Sequence, residues 1–105
     1  MQTKPTPKKH APWLVNAEHM AAHHPDTFTV PSGRANLQPG DFAKVCAHGE
    51  RFWVEITKAK HGVYVGTVAN ILVVPENAGM AFGSVVEFGP CNVFAVLRYN
   101  DPVDN

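Results

Sequence analysis

Arg51-Phe-Trp-Val-Glu-Ile-Thr-Lys58, then Lys60-His-Gly62, then Val63-Tyr-Val-Gly-Thr-Val68 is the stretch that decides the fold. Phe52, Val54 and Ile56 occupy alternate positions, with Trp53, Glu55 and Thr57 between them. Successive side chains of a strand point to opposite faces, so this period of two predicts a half-buried strand. Lys60-His-Gly62 is a turn signal, and residues 63–70 run back as the next strand.

Working outward, Pro39-Gly-Asp41 opens a strand over Phe42–Ala47, which His48-Gly-Glu50 closes. Residues 71–74 extend the strand over 63–70 or begin another, and Pro75-Glu-Asn-Ala-Gly79 breaks it. Val85–Phe88 and residues 92–98 complete the set, with Gly89-Pro90 between them. Five short strands at a spacing of about ten residues predict a mainly β domain, a small antiparallel barrel or curled sheet. Short connections favour a meander in which each strand pairs with its predecessor.

Ahead of the strands the pattern differs. Residues 1–15 form a basic, proline-punctuated arm with Lys4, Lys8 and Lys9, and Trp13-Leu-Val15 is its one apolar portion. That portion either docks on the domain or reaches a partner. Residues 16–24 predict a short helix, with Asn16 as N-cap, Glu18 in the first turn and Pro25 as the stop. Asp26-Thr-Phe-Thr-Val30 alternates and predicts a short extended segment. The single domain spans residues 16–99, and residues 100–105 are an acidic tail.

The chain has 105 residues with nine Lys+Arg, nine Asp+Glu and 45% hydrophobic content. That content excludes a disordered chain, and a zero formal charge excludes a polycation that binds by bulk electrostatics. No apolar run exceeds five residues, too few to span a membrane as a helix. The N-terminus lacks the apolar region of a secretory signal, so the expected location is the cytoplasm. Cys46 and Cys91 have no CxxC spacing, and a reducing compartment would leave both free and buried. A disulfide between them stays open at this point.

Glu50-Arg-Phe-Trp-Val-Glu-Ile-Thr57, Tyr64-Val-Gly-Thr-Val68 with Asn70, Phe82-Gly-Ser-Val-Val-Glu-Phe88 and Pro39-Gly-Asp-Phe-Ala-Lys-Val45 together resemble an uncharacterised bacterial family. This is the domain-of-unknown-function family numbered 2314. Pro25-Asp-Thr-Phe-Thr-Val-Pro-Ser32 and Leu37-Gln-Pro-Gly40 resemble its lead-in, and the likeness covers about residues 13 to 95. It implies a small SH3-like barrel and no enzyme class. The chain departs from that pattern after Asn70, where Ile71-Leu-Val-Val74 replaces a more polar step.

His19 and His23 lie four apart, on one face of the predicted helix, as in zinc-binding HExxH; the glutamate after the first histidine is missing and no third ligand is fixed. No metal or cofactor is expected. Cys46 and His48 share a strand face, but nothing orients the imidazole. Glu55 and Glu87 could meet only on neighbouring strands.

Trp53 is out of phase with the apolar set, so it either lies beneath residues 13–30 or stands exposed as an anchor for a peptide or base. Tyr64, on the adjoining strand, would border the same patch. Lys58, Lys60 and His61 give the hairpin tip positive charge, with Arg51 at the opposite end. The expectation is a non-enzymatic binding module that contacts another protein through Trp53, Tyr64, this tip and Trp13. An accessory or inhibitor protein of a bacterial or mobile-element system fits that description. Nucleic-acid binding through the basic tip and arm is the alternative.

Overall fold

The computed structural model describes residues 14–77 and 79–99. Most of the basic arm, Trp13 included, and the acidic tail over 100–105 lie outside the described residues.

Helix α1, Ala17–His23, starts where Asn16 caps it: the Asn16 side-chain oxygen accepts the His19 N–H at 2.8 Å. It ends at His24, one residue before Pro25, whose ring disfavours a helical residue ahead of it. Residues 26–30 form no strand; Thr27 and Phe28 N–H groups turn back onto the His24 carbonyl instead. A 3₁₀ turn over Ser32–Asn36 follows.

Five strands make one antiparallel sheet: β1 Phe42–Ala47, β2 Glu50–Lys60, β3 Val63–Val68, β4 Val85–Phe88 and β5 Ala95–Leu97. The protein is thus mainly β with one short helix. The hairpins β1–β2 and β2–β3 each close with His-Gly at positive φ, His48 and Gly49 at 51° and 80° and His61 and Gly62 at 53° and 77°. Positive φ at both central residues of a two-residue loop matches the right-handed twist of the strands it joins.

The sheet order is β4-β3-β2-β1-β5, so the chain is not a plain meander. After a 3₁₀ turn over Pro90–Asn92, β5 crosses back to pair with β1, Phe42 opposite Leu97 and Lys44 opposite Ala95. This is an SH3-like order with the barrel left open, β4 and β5 being its two edges. Because β5 covers only Phe42 to Lys44, the far end of β1 is free; Leu14 bridges Ala47 there and the Val15 N–H donates to the Cys46 carbonyl at 2.9 Å.

The inward face carries Ala43, Val45, Phe52, Val54, Ile56, Tyr64, Val68, Val86 and Phe88, closed by Leu14, Leu37, Met80 and Val93. Phe52 and Phe88 are fully buried, and each large side chain so buried contributes about 1.5–3 kcal/mol. A bulge between Ile56 and Lys58 interrupts the β2–β3 ladder, pairing Ile56 with Gly66 but Lys58 with Val65. Residues 71–74 are not a strand, and β3 ends at Val68. Cys46 and Cys91 are free thiols, both half-buried rather than buried.

Among the described residues, no helix is long and apolar enough to cross a membrane.

Candidate functional site

The ladder registers place Arg51 and Trp53 on the outward face of β2, alternate to the buried Phe52 and Val54. Trp53 is half-buried. The Lys44 ammonium, on the paired position of β1, sits 4.9 Å from the centre of its ring. Its backbone is fixed to the next loop: the Trp53 N–H donates to the Asn70 side-chain oxygen at 2.6 Å, and the Ala69 N–H donates to the Trp53 carbonyl at 2.8 Å.

Tyr64 does not join it. Tyr64 lies on the inward face, 3% exposed, with its ring 5.5 Å from Phe88. Its hydroxyl donates to the Arg34 carbonyl at 2.6 Å and accepts the Leu37 N–H at 3.2 Å. The segment ahead of the sheet therefore covers Tyr64, and the expected Trp53–Tyr64 patch is divided between two faces of one sheet.

Arg51 and the hairpin tip are also apart. Lys58 lies seven positions beyond Arg51 along β2, roughly 20 Å of strand. Lys58, Lys60 and His61 are all exposed at the tip. Arg51 instead stands beside the β1–β2 turn, its guanidinium carbon 5.6 Å from the Phe28 ring centre and 5.3 Å from that of Phe94. Those two rings meet edge to face, with centres 6.0 Å apart. With Val15, Met20, Cys46 and Gly49 they line a pocket of about 290 Å³.

A second cluster holds the β3–β4 connection. Glu50 accepts the Val73 and Val74 N–H groups at 2.8 and 3.0 Å and the Asn77 amide at 3.1 Å. The Asn77 amide also donates to the Ala47 carbonyl at 3.0 Å. These two donor bonds orient the amide so that its oxygen faces His48 and accepts from the Nδ1–H at 2.9 Å. The two backbone donors, Val73 first, keep the Glu50 carboxyl below the usual carboxylate range against the opposing effect of burial. The loop backbone is thus pinned, yet Ile71 and Val73 are 80% and 79% exposed, and Phe82 beyond them is 68% exposed. Sequence patterning could not separate this apolar run from a strand; its anchor, Glu50, lies 23 residues away.

The remaining candidates disperse. His19 and His23 do share a helix face, with ring centres 4.0 Å apart, and His23 Nδ1 bonds the His19 carbonyl at 3.0 Å. Among the described residues no group of three or more His, Cys, Asp or Glu side chains is placed to hold a metal. His48 is engaged by Asn77 rather than Cys46. Glu55 faces Thr67 and Glu87 faces Val65, so β3 stands between the two carboxylates. Burial, and then the Glu18 carboxylate, push the Cys91 thiol up.

No protein-family model matches this chain, and neither a curated protein nor a solved structure matches it.

Proposed function

We propose that the chain is a non-enzymatic binding module that docks on another protein, as an accessory or inhibitor component of a bacterial or mobile-element system. The observation that carries this reading is the apolar display on and after a pinned loop: Ile71, Val73 and Phe82 face solvent, and Glu50 holds the backbone of Val73 and Val74. Ordering a loop before contact removes part of the entropy that association otherwise costs. Contiguous exposed apolar surface is a common mark of an interaction site. Through Asn70 and Ala69 the backbone of Trp53 is tied to the residues just ahead of Ile71.

The test compares the wild type with an I71D/V73D variant as bait in native extract, alongside light scattering of each alone. A partner or a self-association present in the wild type and lost in the variant supports the reading. Identical recoveries from both baits, with both proteins monomeric, would overturn it.

One observation favours a second reading, nucleic-acid binding: Lys44, Arg51, Lys58 and Lys60 occupy outward positions of β1 and β2 along with Trp53. Glu55 and Glu87 stand on that same face, and Lys44 already occupies a ring face of Trp53. A salt-dependent gel shift lost on changing Arg51, Lys58 and Lys60 to Ala would select this reading over the first.

A further inference from the structure

From the pocket beside the β1–β2 turn we infer a small-molecule site for an amphiphilic carboxylate, an aryl or short alkyl acid whose apolar body enters among Met20, Phe28 and Phe94 and whose carboxylate meets Arg51. This inference is independent of the docking loop, which lies on the β3–β4 connection.

Three observations carry it. Val15, Met20, Phe28, Cys46 and Phe94 give the pocket apolar walls, with Arg51 the one charged residue among its lining. The guanidinium carbon lies 5.6 and 5.3 Å from two phenyl ring centres, and a cation so placed beside aromatic walls keeps its N–H groups as its means of binding an anion. Among the described residues the ion pairs are Arg34 with Glu18 and Arg98 with Asp41, and neither engages Arg51. A planar fork of donors over an apolar cleft is the complement of a planar carboxylate on an apolar body.

The size fits the same class. At about 30 Å³ per water-sized group, a volume of about 290 Å³ admits on the order of ten non-hydrogen atoms. Phenylacetate is of that size. A phosphate ester would call for more positive charge than the single cation here supplies.

The experiment titrates the full chain with phenylacetate and, separately, with the isosteric phenylacetamide, following backbone amide shifts by NMR. Saturable shifts confined to the surroundings of Phe28, Cys46, Gly49, Arg51 and Phe94 are expected with the acid. The amide should bind about 10–100-fold more weakly, the range that a charge-assisted hydrogen bond supplies. R51M, which keeps an apolar stem, should lose that preference while its spectrum elsewhere is unchanged. Equal binding of acid and amide, or no saturable shift at these residues up to millimolar acid, overturns the inference. The acid–amide comparison needs only the wild type, so it stands even if R51M does not fold. Loss of partner capture by I71D/V73D with acid binding intact would separate this site from the docking loop.

Discussion

Asn77 donates its side-chain amide to Glu50 at 3.1 Å, and through that bond the turn between β1 and β2 and the connection between β3 and β4 become one unit. Asn77 is 1% exposed, so an apolar replacement takes the side-chain donor from the Ala47 carbonyl and one of three donors from the Glu50 carboxylate. Asn77→Ala is expected to cost about 2 kcal/mol in urea unfolding, within the range for stranding a buried polar partner. Val73 and Val74 amides should also exchange with solvent faster in this variant, and unchanged exchange would refute the link.

Glu50 adds a pH dependence to that unit. Its carboxyl titrates below the usual range because Val73, then Val74, donate to the charged form. A carboxylate whose pKa is depressed by folding contributes stability that is fully present above its unfolded value and is lost as pH falls through the folded one. Protection of the Val73 and Val74 amides should therefore hold at neutral pH and decline on acidification beneath the ordinary carboxylate range. Glu50→Gln should show weaker protection with little of that decline.

Tyr64 predicts a different defect. Removing its hydroxyl deprives the Arg34 carbonyl of a donor and the Leu37 N–H of an acceptor in a buried setting. Tyr64→Phe should lose about 1–3 kcal/mol of stability. The loss should be accompanied by freer motion of residues 31–37, read by amide exchange, while the ring contact with Phe88 is kept.

Gly66 is held to its size by a neighbouring backbone. A methyl group there would run into the Glu55 carbonyl oxygen and a Val54 methyl across the β2–β3 ladder. Gly66→Ala is expected to destabilise by about 3 kcal/mol, at the upper end for overpacking because a backbone atom cannot rotate away. A melting temperature equal to that of the wild type would contradict this account.

Much of this fold was legible because it is local. Asn16 ahead of an acidic first turn, with Pro25 at the far end, located α1 to within one residue at either end, and the Phe52–Val54–Ile56 alternation assigned the core face of β2. What escaped depends on partners distant in sequence. Tyr64 has an apolar ring and a polar tip, and its face was settled by Arg34 and Leu37, 30 and 27 residues away. The pairing of β5 with β1 brings together the first and last strands in sequence, and no short pattern encodes it. Of the candidate site, Arg51 was visible as a charge, but not its setting between Phe28 and Phe94, which comes from segments on either side of it in the chain.

The irregularity between Ile56 and Lys58 decides the polarity of one whole end of the molecule. Counting by twos from Phe52 through Val54 and Ile56 arrives at Lys58 and Lys60, so an unbroken ladder would turn two ammonium groups toward the side of Tyr64. The extra residue, Thr57, shifts the count by one and sends both lysines outward opposite Val65 and Val63. An eleven-residue strand is thereby written in two phases, the first building a hydrophobic seam and the second a cationic tip.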